Sequence, residues 1–376
     1  MTSSEQAGSR QQERVRLREA CLLLSLVQSR TGTSFVSRLG DLPLERVLEM
    51  SAAEVAERAS LTPRMEQGFE ETRQSFDLRQ TLAPLEERGL SVVTLADEEY
   101  PDRLREIADP PPALYVDGEL PVKPVVSLVG SRKASATGIE NAREIGRALG
   151  RRGVCVGSGL ALGIDAAAHE GALEAEGPVV GVLGCGIDVV YPRKHRNLFG
   201  RVKAVGTLVS EYYLGESPLQ WRFPARNRVI SGLSETVVVV EAAERSGALI
   251  TARHAAEAGR DVYSVPGPIG LSECRGSNRL LADGAGVVLD AEEFAETIAP
   301  GEPELSLREK TLSEAEPLSE TESRVLGGMG IEPSGTDSIS RESGVEVREL
   351  LPALSMLELK GYVIRDGAGS FARRGR

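Results

Sequence analysis

Between Val125 and Gly267 the chain alternates short apolar runs with helical segments, and this alternation restricts the possible folds more than any other feature. Each apolar run ends in a loop rich in glycine or serine, and the unit recurs about every 25–30 residues, as βαβ units do. Strands that are apolar throughout are typical of a sheet buried on both faces. The pattern predicts an α/β fold: a Rossmann-like, mostly parallel sheet with helices on both faces. The predicted strands are Val125–Val129, Val154–Val156, Val179–Leu183, Thr207–Tyr212, Val237–Glu241 and Asp261–Val265.

Changes in composition divide the rest of the chain. The predicted parts are a helical bundle at 14–76, a connector at 77–121, the Rossmann-like domain at 122–290, a proline-rich acidic linker at 291–318 and a winged-helix domain at 319–376. Ser51 and Glu54 form a capping-box pattern that predicts a helix start within the bundle. The C-terminal part shows three helical patterns followed by half a hairpin, which is the order of a winged helix. Such domains bind DNA in many proteins and act as interaction modules in others.

The charge distribution predicts a restricted contact with a polyanion. The chain has a net charge of −12 at pH 7, but residues 121–290 contain 20 Lys and Arg against 17 Asp and Glu, which leaves about −15 for the remainder. A mildly basic segment inside an acidic protein favours a small footprint and fast release over nonspecific coating of DNA.

Composition also indicates a compartment. No apolar run approaches the roughly 18–20 residues that cross a bilayer, and Met1–Arg18 lack the apolar core of a signal peptide. We therefore expect a cytoplasmic protein without membrane contact. The cysteines have no zinc-binding spacing, so we expect buried reduced thiols and no metal. They are Cys21, Cys155, Cys185 and Cys274.

Two glycine-rich loops at predicted strand ends suit a phosphate. In Gly130-Ser131-Arg132 the glycine permits close approach of the backbone, the serine offers a hydroxyl and an amide, and the arginine offers a permanently charged fork. Gly157-Ser158-Gly159 precedes the next helix, whose free amides and positive dipole end attract anions. Tight packing of helix on sheet is a second interpretation of this loop, and both can hold at once.

Two further loops carry related chemistry. Ser246-Gly247 opens a later helix with a hydroxyl and successive amides that form an anion cup. Arg193 and Lys194 lie in a short basic turn, which contacts phosphate or is simply a solvated face. Because the carboxyl ends of parallel strands meet at one edge of a sheet, we expect all four loops to lie along that edge.

The most specific segment runs from Trp221 to Arg228. It combines the only tryptophan with a neighbouring phenylalanine, three arginines and an asparagine. Bases stack on aromatic rings with roughly 1–3 kcal/mol each while cations hold the backbone, so the segment predicts contact with a single strand. The residues assigned to this contact are Arg222, Phe223, Arg226 and Asn227. The alternative places the rings in the core and pairs one arginine with a carboxylate; the candidates are Arg226 or Arg228 with Glu211, Glu235 or Glu241.

The loops lack an evident nucleophile or acid–base pair. No GxxxxGK[ST] sequence occurs, and no GxGxxG follows the first strand, so we expect no bound cofactor. One alternative is a nucleotide-phosphate-binding Rossmann-like enzyme of the nucleoside monophosphate hydrolase type. Such enzymes carry a Gly-Gly-x-Gly-Thr loop that is followed by a glutamate. At that place this chain has Ser246–Thr251, and the next glutamate is Glu257. A protein scaffold is the other alternative, suggested by the acidic flanks and small end domains.

In this order the motifs resemble the DNA-processing protein A family (DprA, also called Smf), over about Leu90–Asp290. The matching segments are Tyr100-Pro101, Pro111–Tyr115, Gly130–Arg132, Gly157–Asp165, Tyr191-Pro192, Phe223–Arg228, Ser246–Thr251 and Gly259–Val262. The helical N-terminal region is similar to the family's sterile-alpha-motif-like domain, and the C-terminal region to its winged helix.

The resemblance implies a noncatalytic homodimer that binds incoming single-stranded DNA during natural transformation, protects it and loads RecA onto it. By position, Arg132 would hold a phosphate, Arg193 and Lys194 would add charge, and Phe223 would stack on a base. Family members often carry a lysine three residues before that phenylalanine, where this chain has Gln220. Affinity there is expected to be weaker unless Arg222 compensates.

Overall fold

The computed structural model describes residues 3–301, 318–330, 333–360, 362–365 and 370–373. The chain divides into two units, Met1–Ala134 with Asn141–Leu305 and Ser135–Glu140 with Ser306–Arg376. Residues 302–317, which make up most of the predicted linker, lie outside the described residues.

The N-terminal region is helical, as the sequence predicts. Its elements are α1 (Ser3–Thr31), α2 (Val36–Leu39), a 3-10 turn at Leu44–Leu48, α3 (Ala52–Arg58), α4 (Pro63–Ser75) and α5 (Leu78–Glu86). The capping box is confirmed, because the Ser51 hydroxyl accepts a hydrogen bond from the Glu54 amide and the Glu54 carboxylate accepts one from the Ser51 amide. Leu23, Phe35 and Phe69 pack in a common core that ties α1 to the shorter helices.

A nine-stranded sheet forms the centre of the larger unit. Its strands are β1 (Ser91–Thr94), β2 (Ala113–Asp117), β3 (Val125–Val129), β4 (Cys155–Ser158), β5 (Val179–Leu183), β6 (Thr207–Ser210), β7 (Thr236–Val239), β8 (Asp261–Ser264) and β9 (Gly286–Val287). They lie in the order β1-β2-β6-β5-β4-β3-β7-β8-β9, and β3 to β9 pair in parallel with their neighbours among these strands. β2 joins β6 antiparallel, and β1 joins β2 in the same way. The predicted mostly parallel α/β fold is confirmed.

Helices connect the strands. They are α6 (Asp102–Arg105), α7 (Ala136–Arg151), α8 (Ile164–Glu174), α9 (Arg196–Val205), α10 (Arg222–Leu233), α11 (Gly247–Glu257), α12 (Arg275–Ala282) and α13 (Ala291–Ile298), with 3-10 turns at Arg193–His195 and Ser272–Cys274. Side chains from α6, α10 and α11 pack against one face of β3 and β7, including Val125 and Val237. Helices α8 and α9 pack against strands β3 to β6.

Two boundaries differ from the prediction. The connector at 77–121 contributes β1 and β2, so part of it belongs to the sheet. Helix α13 occupies the start of the predicted linker, because Phe294 is buried with its ring 5.1 Å from that of Tyr263. Both differences depend on contacts between segments that are distant along the chain. They are the pairing of β2 with β6 and the packing of Phe294 on Tyr263.

The strand order reverses at β3. From β3 the chain builds β4, β5 and β6 to one side, and it then crosses to place β7 on the other side of β3. In open α/β sheets a crevice forms outside the carboxyl ends of the strands where the order reverses, and ligands bind there. The loops after β3 and β7 flank that crevice.

The smaller unit contains α14 (Glu320–Gly327), α15 (Thr336–Ser343), α16 (Val347–Leu359) and an antiparallel pair, β10 (Val363–Arg365) with β11 (Phe371–Arg373). Val325, Ile339, Leu354 and Phe371 share its core. Three helices followed by a two-stranded wing confirm the predicted winged helix, of which residues 331–332, 361, 366–369 and 374–376 are outside the described set. In the described part of the chain we find no helix whose length and apolar character would let it cross a membrane.

Candidate nucleic-acid interface

A cleft of about 450 Å³ opens beyond the carboxyl ends of β3 and β7. Its wall is built from three segments, namely Gly130–Lys133 after β3, Ala243–Ala248 after β7 and the first turns of α10 from Phe223 to Asn227. The cleft therefore lies at the reversal of strand order, where the sequence predicts a binding edge.

Close packing fixes the loop after β3. A Cβ atom at Gly130 would lie 2.5 Å from Ile164 Cγ1, so only glycine fits between β3 and α8. The Ser131 amide donates to the Glu241 carbonyl at 2.7 Å, and the Ser131 carbonyl accepts from the Ile164 amide at 3.2 Å. With its backbone engaged internally, the loop leaves the exposed side chains of Arg132 and Lys133 to carry charge at the cleft.

The Phe223 ring forms an aromatic surface at the cleft. The Arg132 guanidinium carbon lies 5.0 Å from the Phe223 ring centroid, within cation–π range. The exposed Tyr191 ring lies 5.3 Å from Phe223 with an interplanar angle of 31°. A Cβ at Gly184 would lie 2.9 Å from Phe223 Cδ1, so the ring rests on bare backbone there. We call Tyr191, Phe223 and Arg132 the platform.

The basic turn adjoins the platform through Tyr191. A cis Tyr191-Pro192 bond leads into the 3-10 turn, and His195 Nδ1 lies 3.1 Å from the Leu160 carbonyl oxygen. Arg193 and Lys194 are exposed and pair with no carboxylate among the described residues. Their charge is therefore available to an anion approaching the platform.

The loop after β7 supplies backbone groups and another cation to the cleft. The Ser246 hydroxyl accepts from the Ala248 amide at 3.3 Å and so caps α11. Asn227 Nδ2 donates to the Gly247 carbonyl at 3.2 Å, which joins α10 to this loop. A Cβ at Gly247 would meet no atom within 4 Å. Arg245 is exposed in the same loop, and within the described ranges it has no ion-pair partner.

The prediction that Gly157-Ser158-Gly159 holds an anion is wrong. These residues are buried, and the Ser158 hydroxyl donates to the Leu128 carbonyl at 2.6 Å. The amides of Gly159 and Ala161 donate to the Asp165 carboxylate at 3.1 and 3.3 Å. The protein's own carboxylate therefore occupies the donors, and tight packing explains the glycines.

Arg222 is also wrongly assigned to direct DNA contact. It is 2% exposed, and its guanidinium donates to the carbonyls of Ser29 and Ser217 at 2.7 and 2.8 Å and to the Glu216 carboxylate at 2.7 Å. A buried guanidinium with three acceptors cannot also reach a phosphate. It therefore does not take the place of the family lysine at Gln220.

Arg226 lies at the floor of the cleft and is 3% exposed. It donates to the carbonyls of Gly159 and Val182. Burial lowers the pKa of Arg226, and Asp165 opposes that shift. Because its donors are turned inward, Arg226 contributes positive potential beneath the cleft, and direct phosphate contact is not available to it in this arrangement.

Arg228 is the structural arginine that the sequence predicts. Its guanidinium forms ion pairs with Glu211 at 2.7 Å and Asp109 at 3.0 Å. Burial alone would lower the pKa of Arg228, but the two carboxylates outweigh burial and raise it.

Sequence reasoning missed two cations at the cleft, Lys133 and Arg245. Lys133 directly follows Gly130-Ser131-Arg132, and Arg245 directly precedes Ser246-Gly247. Their positive charge beside these motifs could have identified both residues. Sequence reasoning also named Tyr191 only within the Tyr191-Pro192 motif, whereas its ring extends the platform.

The described residues offer little for catalysis. The carboxylate in the cleft lining, Asp165, is engaged by backbone amides. His169 is fully buried with Nε2 at 3.2 Å from the Val180 carbonyl, and burial lowers its pKa. Within the described ranges no group of three or more His, Cys, Asp or Glu is placed to hold a metal.

Comparison with known proteins assigns the family. A family model described as DNA recombination-mediator protein A matches residues 91–299, more than half of the chain. The chain belongs to the DNA recombination-mediator protein A family. A second model, the DprA winged helix domain, matches residues 309–369. The predicted resemblance is confirmed.

Relatives match over most of their length. The Smf protein of Escherichia coli is 38% identical over 322 residues, covering 83% of this chain and 84% of that protein. The X-ray structure of DNA processing protein A from Streptococcus pneumoniae superimposes with a TM-score of 0.61 at 31% identity, covering 74% of this chain and 97% of that one. The Helicobacter pylori protein, described as having a unique single-stranded DNA binding mode, has a TM-score of 0.51 at 28% identity, covering 56% and 95%.

Proposed function

We propose that this chain binds single-stranded DNA at the cleft and acts as a noncatalytic recombination mediator. The observation that carries the proposal is the platform, in which an exposed cation and two aromatic rings meet at the edge of the sheet where ligands bind.

The platform favours a single strand over a duplex. An unstacked base can lie on the Tyr191 and Phe223 rings, a contact of roughly 1–3 kcal/mol per base, whereas bases in a duplex already stack on each other. Arg132, with Arg193 and Lys194 in the turn after Tyr191, would hold the phosphates on either side. The salt slope, which is the decrease in the logarithm of the binding constant per unit of the logarithm of the salt concentration, rises by about 0.7 for every phosphate contact with a single strand.

We assign the direct contacts to residues that line the cleft or form the basic turn. The proposed contact residues are Gly130, Ser131, Arg132, Lys133, Arg193, Lys194, Phe223, Asn227, Arg245, Ser246 and Gly247. The net charge of −12 limits binding outside this region, because phosphates are repelled elsewhere.

The resemblance supports the finer parts of the proposal. By analogy with the family, the chain would act as a homodimer in the cytoplasm, protect incoming strands and load RecA during natural transformation. Residues 14–76 would form the sterile-alpha-motif-like domain. A RecA filament assay on a strand precoated with a single-strand-binding protein tests loading separately from DNA binding, since failure there would leave the oligonucleotide affinity intact.

The decisive test compares labelled oligothymidylate with a duplex of equal length by fluorescence anisotropy. Arg132→Ala should weaken oligothymidylate binding about tenfold and lower the salt slope by about 0.7, through loss of a phosphate contact and of the cation above Phe223. Arg46→Ala is the matched control, because this arginine is exposed in the helical region and pairs with Glu49. Equal affinities of the two variants, or equal binding of single strand and duplex, would contradict the proposal.

The enzyme alternative predicts a different result. A nucleoside monophosphate hydrolase would release free base from nucleoside monophosphates. We expect none to accumulate, because Asp165 is already engaged by the amides of Gly159 and Ala161.

A further inference from the structure

The carboxyl end of α1 contacts the first turn of α10. Arg222, the first residue of α10, donates through Nη2 to the carbonyl of Ser29 in α1 at 2.7 Å. Its guanidinium also binds Glu216 and Ser217 in the segment that precedes α10. A single buried side chain therefore joins the helical N-terminal region, the loop after β6 and the beginning of α10.

Aromatic packing strengthens the same junction. The Arg222 guanidinium lies 4.5 Å from the Tyr212 ring centroid and 5.2 Å from that of Trp221. The Trp221 ring lies against Gly32, which ends α1 with a φ of +71° and where a Cβ would be 3.3 Å from the ring. Trp221 and Tyr212 meet edge to face at 6.2 Å.

Phe223 follows Arg222 directly. The residue that precedes α10, Trp221, gives the helix no side-chain cap, so contacts of its neighbours hold the first turn. Any rotation of that turn would move the Phe223 ring away from Gly184 and Tyr191. The platform depends on these two contacts of the ring.

We propose that Arg222 is a positioning residue, which uses the end of α1 to fix Phe223 for stacking on a base. A buried guanidinium surrounded by its acceptors strongly resists displacement, because moving it would leave buried charge unpaired. The helical N-terminal region is then a part of the nucleic-acid site, although it touches no nucleotide. This inference rests on the proposed binding of single-stranded DNA.

A positioning role and a purely structural role differ in which part of the binding they affect. Loss of positioning should weaken the base-dependent part and leave the phosphate-dependent part unchanged. Loss of folded protein would weaken both equally. Oligothymidylate and an abasic oligonucleotide of the same length separate the two parts.

Two variants disturb the junction from opposite sides. Arg222→Met removes the guanidinium from α10. Gly32→Ala strains the left-handed end of α1 and crowds Trp221 without altering α10, so it decides the question if the first variant fails to fold. Tyr115→Phe is the matched control, because it removes a hydrogen bond of 3.1 Å between α1 and the sheet at Ser25, away from α10.

We expect both variants to bind oligothymidylate about fivefold more weakly, a fraction of a full base-stacking contact, with abasic affinity and salt slope unchanged. Acrylamide should quench Trp221 more strongly in both, and since it is the only tryptophan the signal is local. Tyr115→Phe should behave as wild type in all these measurements.

Three results would overturn the inference: unchanged oligothymidylate affinity in the folded variants, an equal loss for both oligonucleotides, or the same loss in Tyr115→Phe. If the wild-type protein itself binds the abasic strand as tightly as oligothymidylate, base stacking is absent. That result contradicts the proposed function directly, whatever the variants do.

Discussion

Replacing Glu211 by alanine should lower the free energy of unfolding of the larger unit by about 3–5 kcal/mol, the usual cost of breaking a buried ion pair. The Glu211 side chain is 1% exposed and accepts hydrogen bonds from Arg228 and Gln28, both at 2.7 Å. Its loss would leave Arg228 buried with Asp109 as its remaining carboxylate partner and the Gln28 amide without its acceptor. The uncompensated guanidinium accounts for most of the expected cost.

Urea titration followed by Trp221 emission measures this loss. The only tryptophan lies in the larger unit, so the signal reports that unit alone. Glu257→Ala is the control: its partner Arg253 is 78% exposed, and solvent screens such pairs, so the unfolding midpoint should not move. A loss under about 1 kcal/mol for Glu211→Ala would refute the view that this buried network holds α1 against the sheet.

Gly184→Ala would place a Cβ 2.9 Å from the Phe223 ring. Anisotropy should then show at least about threefold weaker oligothymidylate binding, and unchanged binding would mean that the position of the ring is unimportant. Arg348→Ala should leave that affinity within about twofold, because the exposed side chains around it on α16 are apolar or acidic, and a larger drop would assign α16 to the contact. Burial raises the pKa of the Cys155 thiol from 9.0 to about 12. Native Cys155 should therefore resist disulfide reagents at pH 8, and rapid labelling of the folded protein would contradict that expectation. The contribution of Cys155 to the free energy of unfolding should fall as the pH rises from about 9 towards 12, because the thiol of the unfolded chain ionises first.

The sequence predicted features that depend on neighbouring residues. The strand ending at Val129 and the loop Gly130-Ser131-Arg132 follow from local apolar runs and a glycine, and the structure places that loop in the cleft wall. The Ser51 capping box likewise requires only residues within one helical turn.

Features set by distant contacts could not be predicted. Arg222 looked like a phosphate ligand because nothing nearby reveals that the Ser29 carbonyl, 193 positions away, accepts from it. Gly157-Ser158-Gly159 looked like an anion cup because the occupation of its amides by Asp165 depends on the folded path of the loop. Helix α13 was hidden for the same reason, since its burial requires Tyr263.

Photo-crosslinking tests the site most directly. Oligothymidylate carrying single 5-iodouracil substitutions would be irradiated with the full chain, and the modified peptides mapped by mass spectrometry. Stacking on the platform predicts crosslinks at Tyr191 or Phe223 that disappear with Arg132→Ala and persist with Arg46→Ala. Crosslinks confined to α16 or to the helical N-terminal region, and unaffected by Arg132→Ala, would contradict binding at the cleft.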